Sequence, residues 1–255
     1  MGAALAAMLI WWFGTGLLLW LNRLAPRTFS VSLLGAMAAF GMSIAAIEVS
    51  QAITTPAAAY VAFAAGVTLW GCLELPHLFG WLTGPVREPC PDHLAGWGRF
   101  RRALGVGIYH DLAIIAVGSV LWLVLLDSPN QVAAWTFATL WLMRWSAKLN
   151  LFFGMPNLDL ELVPERMRYL ATYMADRPMN ALFPISILGG LLLVWFHLAI
   201  GWSPASDFSR TAALLLATIT GLAVLEHLLM LLPIRDSGLW RWAVMLVSTS
   251  KIAKT

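Results

Sequence analysis

Charge is the scarcest resource in this sequence. Only 11% of its 255 residues are Asp, Glu, Lys or Arg, against about 25% in an ordinary soluble domain, so a globular water-soluble enzyme is excluded first. Cysteine is nearly absent, with Cys72 and Cys90 alone; a disulfide scaffold and a cysteine-built metal framework go with it. Internal repeats, low-complexity runs and a linker between two domains are also missing. No alternating ten-residue segments mark the strands of an outer-membrane barrel. The net charge of +3 is too small and too dispersed for a nucleic-acid footprint.

What is present is apolar. Hydrophobic residues make up 60% of the chain, with 14 Trp and a mean hydropathy of +0.77, which also rules out disorder. About 20 apolar residues cross the roughly 30 Å hydrocarbon core as a helix. Seven such stretches are expected, at Ala3–Leu21, Phe29–Ile47, Ala57–Phe79, Ala103–Leu126, Val132–Phe153, Ala181–Ile200 and Thr211–Leu232. The fold class is therefore all-α, a single polytopic transmembrane bundle spanning residues 1–255. The first stretch has no preceding basic residue and exceeds a signal-peptide core in length, so it reads as a retained helix.

The basic residues orient the chain. Arg23 and Arg27; Arg87, Arg99, Arg101 and Arg102; Arg144, Lys148, Arg166, Arg168 and Arg177; and Arg235, Arg241, Lys251 and Lys254 fall on one side, leaving Arg210 on the other. Cytoplasmic segments carry the Lys/Arg excess, which predicts an outside N-terminus and a cytoplasmic tail at 233–255. Trp11, Trp12, Trp20, Trp81, Trp145, Trp202, Trp240 and Trp242 are expected near the two interfaces. Two long cytoplasmic loops are expected, at 81–102 and 155–178. In the second, Pro164 opens a short helix with Met167, Leu170, Ala171 and Met174 on one face, lying on the membrane or packed on the bundle.

Ionisable residues inside the membrane are costly and mark paired or functional positions. The third stretch carries Glu74 and His77, the fourth His110 and Asp111, the fifth Arg144 and Lys148, and the seventh Glu226 and His227. All lie near the cytoplasmic ends. Glu74 and His77 share one helix face at i,i+3, the spacing used in bundle metal sites, and Pro76 between them is expected to kink the helix. Three readings follow. One is a metal centre, iron or zinc, from Glu74, His77, His110, Asp111, Glu226 and His227. A second is a tetrapyrrole held by one axial histidine, with Arg144 or Lys148 pairing a propionate. The third is a hydrogen-bonded network that joins helices and binds nothing. Arg144 and Lys148, at i,i+4, either snorkel to lipid phosphates or counter Glu74, Asp111 or Glu226. Glu48 and His197 are expected at the outer ends of their helices and His93 in a loop. A retinal protein is excluded, because the last stretch has no lysine for a Schiff base.

Several polar strings stand out from the apolar background: Gly84-Pro-Val-Arg-Glu-Pro-Cys-Pro91, Trp97-Gly-Arg-Phe-Arg101, Pro129-Asn-Gln131, Trp135-Thr-Phe137 and Met143-Arg-Trp-Ser-Ala-Lys-Leu-Asn-Leu151. Met155-Pro-Asn157, Arg168-Tyr-Leu170, Arg177-Pro-Met-Asn-Ala-Leu-Phe-Pro184, Leu225-Glu-His227 and Leu239-Trp-Arg-Trp242 continue them. With these the chain resembles, over essentially its whole length, the PuhE family of purple phototrophic bacteria, described as photosynthetic complex assembly proteins. The resemblance implies a multi-pass inner-membrane protein that helps build the reaction centre–light-harvesting complex or influences bacteriochlorophyll supply. Reaction-centre or light-harvesting subunits and pigment-pathway proteins would be its partners, besides the lipid bilayer. It brings no catalytic residues. A metalloenzyme acting on a bacteriochlorophyll precursor or derivative, and a structural subunit of the finished complex, are the alternatives.

Overall fold

Two of the long helices begin on side-chain caps. The computed structural model describes residues 2–158, 160, 163–175, 177–202, 206–232 and 236–243. Its long helices are α1 (Gly2–Arg23), α2 (Phe29–Ser50), α3 (Pro56–Leu78), α4 (Gly96–Leu125), α5 (Val132–Phe153), α6 (Leu182–Trp202) and α7 (Asp207–Leu229). Thr55 caps α3, its hydroxyl accepting from Ala58 N at 3.2 Å with Pro56 in the first turn. Ser206 caps α7 in the same way from Ser209 N, with Asp207 in the first turn. Pro76 lies in the last turn of α3. Its carbonyl accepts from Trp81 N and Leu82 N, both at 3.0 Å, and so turns the chain back toward the bundle.

The helices alternate in direction, so all basic connections gather at one end. This basic end holds the C-termini of α1, α3, α5 and α7 and the N-termini of α2, α4 and α6. Three contacts fix the sense: Phe29 at the start of α2 stacks on Phe79 after α3 at 3.8 Å, Asp111 of α4 meets Lys148 of α5, and Ser186 of α6 meets Asn150 of α5. Arg210, on α7, sits at the opposite end.

Six of the seven helices are long and apolar enough to cross a membrane, and the protein is a multi-pass membrane protein. The exception among the expected seven is α5, which carries Arg144 and Lys148. Yet α5 runs through the centre of the bundle, from Asn130 at one end to Asn150 at the other. Half of the spanning window of α3 and of α7 is buried, against 11% for α2. The inner helices are therefore α3, α5 and α7, and α2 turns Val31, Leu34, Met37, Met42 and Val49 outward to lipid. Small residues let α3 and α5 approach closely: a Cβ on Gly66 would stand 3.0 Å from Ala133 O and 3.2 Å from Thr136 Cβ.

Two buried asparagines fasten the ends of α5. Asn130 donates to Ser50 O, Ile53 O and Ala58 O at 3.0, 3.3 and 3.3 Å, and accepts from Val132 N. Asn180 donates to Asn150 O and Gly154 O at 3.0 and 3.1 Å, and accepts from Leu182 N and Phe183 N. Each knots a loop to a helix terminus whose backbone groups have no intrahelical partner.

The loops differ from expectation in instructive ways. The 81–102 segment is not all loop: α4 begins at Gly96 and takes in Arg99, Phe100, Arg101 and Arg102. Thr83 and Gly84 are buried, and Gly84 rests on Gly105 so closely that a Cβ would lie 2.0 Å from Gly105 O. The short helix after Pro164 forms over Glu165–Tyr173 with 3-10 pitch. It packs on the bundle through buried Met167 and through Arg166, which donates to Leu78 O and to Asn22 and lies 4.8 Å over Phe29. A cation thus closes the carbonyl end of α3. Trp11 and Trp12 lie midway along α1 rather than at its end, and the chain after α7 returns to meet them: Trp240 Nε1 donates to Trp12 O at 3.0 Å and Trp12 Nε1 to Leu239 O at 2.9 Å. Arg235, Lys251, Lys254 and the side chain of Trp202 lie outside the described residues.

Replacing Asn130 by Ala strips three carbonyls and one N–H of their partner at a buried loop. We expect a loss of about 1–3 kcal/mol, read as a lowered unfolding midpoint of the purified protein in detergent. A midpoint equal to wild type would show that Asn130 does not fasten α5.

Candidate functional site

The ionisable residues of α3, α4 and α5 meet near the basic end. Glu74 and Arg144 pair at 2.8–2.9 Å, with Glu74 itself 7% exposed. Lys148 Nζ donates to both oxygens of Asp111, at 2.7 and 2.8 Å. On the question of snorkelling or counter-charge, both cations turn inward to carboxylates, although Lys148 keeps over a third of its side chain exposed. Two anions and two cations thus cancel within one small volume. That is the condition for keeping charge out of water without a large penalty.

Two histidines complete the cluster. His77 and His110 stack face to face, with centroids 4.1 Å apart and planes at 22°. A carbonyl can only accept, so the 2.9 Å contact of His77 Nδ1 with Leu82 O places a proton on Nδ1. The same rule works in reverse for His110. A guanidinium only donates, so Nδ1 accepts from Arg144 Nη2 at 3.4 Å and the proton sits on Nε2. Among the described residues no side-chain acceptor reaches that buried N–H; Glu74 Oε1 is 3.8 Å away. The loop that follows α3 forms the floor, with Thr83 O accepting from Tyr109 N and His110 N at 2.9 and 3.3 Å.

His227 stands apart from this cluster. Its Nδ1 donates to Ala223 O at 2.8 Å, and its Nε2 meets the Ser146 hydroxyl at 2.9 Å. Ser146 lies two residues from Arg144 on α5, about 200° around the helix. So α5 separates the two groups: one face reaches α3 and α4, the other α7. Glu226 is half-buried on α7 beside His227. The structure brings Glu74, His77, His110, Asp111, Arg144 and Lys148 together and leaves His227 on the other face of α5. Among the described residues no three His, Cys, Asp or Glu side chains are grouped as a metal ion would need. The reason is visible in the geometry. Stacked imidazoles direct their nitrogens along nearly parallel planes, and Arg144 already supplies the positive charge beside Glu74. Arg144 and Lys148 are likewise committed to carboxylates that a propionate would have to displace.

Ser146 was legible only as a polar residue in an apolar helix, on the face opposite Arg144. His197, expected at the interface, is buried beside Trp135. Glu48, at the end of α2, accepts from Gln51 and Cys72 and Cys90 are free thiols.

A protein family matches residues 1–251 of the chain. The chain belongs to that family, described as a protein of unknown function (DUF3623). It is also 33% identical over 256 residues to an uncharacterized 30.4 kDa protein in the puhA 5′ region of Rhodobacter capsulatus, which covers 99% of this chain and 93% of that relative. No solved structure matches it.

If the pairs lock α3, α4 and α5 together, Glu74→Ala leaves Arg144 buried without its anion and costs about 3–5 kcal/mol. The joint replacement Glu74→Leu with Arg144→Met recovers most of that loss. Unfolding midpoints in detergent check both. A single-variant loss under about 1 kcal/mol, the size of an exposed pair, would show that the network is not the lock.

Proposed function

We propose that this protein is an assembly factor for the bacterial photosynthetic complex, working in the inner membrane as a binding scaffold rather than as a catalyst. The observation that carries the reading is the relative in the puhA 5′ region, similar along almost the whole of both chains. The resemblance of the polar strings to the PuhE family points the same way. The site supports a scaffold on physical grounds. Its ionisable groups are spent on one another across three helices, which favours rigidity over turnover. The basic end, by contrast, presents Arg101, Arg168 and Arg177 on its surface. With the basic end in the cytoplasm, these loops face newly made subunits and pigment-pathway proteins.

Affinity-tagged protein from phototrophically grown cells, cross-linked mildly, should carry reaction-centre, light-harvesting or pigment-pathway proteins. It should be substoichiometric in the mature complex. Absence of all such partners would sink the proposal, and a fixed one-to-one ratio in the finished particle would make the protein a structural subunit instead. Reporter fusions test the orientation: a cytoplasm-active reporter after Trp242 and a periplasm-active reporter ahead of Gly2 should both be active, and the reverse pattern would invert the scaffold.

A further inference from the structure

A crevice at the basic end lies apart from the ion network. The start of α4 contributes Gly96, Trp97, Arg99 and Phe100, the end of α5 contributes Phe152 and Phe153, and Arg177 stands on the segment leading to α6; together they enclose about 400 Å³. Its wall is aromatic. Trp97 stacks on Phe100 at 5.2 Å, Phe100 meets Phe152 edge-on at 5.4 Å, and Phe152 meets Phe153 at 5.4 Å. Trp97 is 69% exposed and Phe153 44%, a large apolar surface for the place where α5 leaves the membrane.

The two arginines have different duties. Arg99 belongs to the wall: its guanidinium lies 4.7 Å over the Phe152 ring and donates to Phe152 O and Tyr173 O at 3.3 and 2.5 Å. Arg177 does not. Its aliphatic stem rests on the Gly154 backbone, where a Cβ would come within 2.8 Å of it. Its guanidinium is exposed, with no carboxylate or carbonyl partner among the described residues. A fixed stem with an exposed cationic head, at the rim of an aromatic trough at headgroup level, complements one kind of molecule. That molecule is an amphiphile with an apolar chain and an anionic group. Basic pockets beside spanning helices take anionic headgroups in this way, and the guanidinium fork suits phosphate oxygens better than an ammonium would.

We propose that this crevice is a binding site for an anionic phospholipid, with its phosphate on Arg177 and an acyl chain along Trp97, Phe100, Phe152 and Phe153. This goes beyond the assembly role and does not depend on it. The test uses full-length protein, purified in neutral detergent, delipidated, and titrated with phosphatidylglycerol or phosphatidylcholine of identical chains. Bound lipid is counted by native mass spectrometry. Phosphatidylglycerol should bind about fivefold tighter, the weight of one arginine at a membrane surface. Arg177→Gln should abolish the preference, and Arg177→Lys should keep most of it, which separates lost charge from lost fold. Trp97→Ala should weaken both lipids. Arg101→Gln, outside the crevice, should leave the preference intact. Equal binding of the two lipids, a preference that survives Arg177→Gln, or an equal loss in Arg101→Gln would overturn the site. So would displacement of the lipid by millimolar inorganic phosphate, since a free anion would then be the ligand.

Discussion

Charges in hydrocarbon must find each other, and in this protein they do so across helices. Glu74 with Arg144, and Asp111 with Lys148, tie α3 and α4 to the central helix α5. The arrangement around α5 follows from that pairing. It sets the rotation of α5, because Arg144 and Lys148 occupy one face and must both look toward α3 and α4. That rotation sends Ser146 to the opposite face, where it meets His227 of α7. It also explains how a helix short of apolarity can lie at the centre of a membrane bundle. The residues that lower its hydropathy are the ones it shields from lipid.

The same constraint shapes the backbone outside the helices. A polar cluster near the end of α3 needs a cover that itself satisfies backbone groups. Pro76 provides the turn, and His77 and the α4 amides provide the partners for Leu82 O and Thr83 O. The Glu165–Tyr173 helix does the equivalent for α1, α2 and α3 through Arg166. Loops at this end are therefore parts of the bundle, built to hold helix termini. Asn130 does so at the far end with a single amide.

How much of this was legible in the sequence depended on the range of the interaction. All seven expected stretches form helices, and six of them are apolar enough to span by themselves, whereas α5 carries Arg144 and Lys148 that pair inside the bundle. The start of α4 was misplaced by seven residues, since Arg99, Arg101 and Arg102 look like loop to a hydropathy window although the helix continues past the membrane. The polar layer was anticipated from depth, and six of its eight residues do meet. Depth says nothing of azimuth, however. His227 lies near the same end as His110 but on the far side of α5, and only the rotation of α5 about its own axis distinguishes the two. Asn130 and Asn180 sat in polar strings that set this chain apart and Arg166 in an expected cytoplasmic loop, but the carbonyls they bind are 20 or more residues away, beyond any periodicity argument.

The distribution of satisfied and unsatisfied groups separates the two faces of the protein's chemistry. Inside, nearly every charge has an opposite within 3 Å, so binding a further charged guest there would first require breaking an ion pair that the bundle depends on. At the basic end the balance is reversed. Arg101 and Arg168 remain exposed, and Arg177 stands exposed beside uncovered aromatic rings, where a guest would gain contacts without displacing an ion pair among the described residues. A membrane scaffold that meets its partners through its surface has this division: a core whose polar groups are committed to shape, and a rim whose polar groups are left for others. The exposed head of Arg177 and the closed pairing of Arg144 are the two ends of that division.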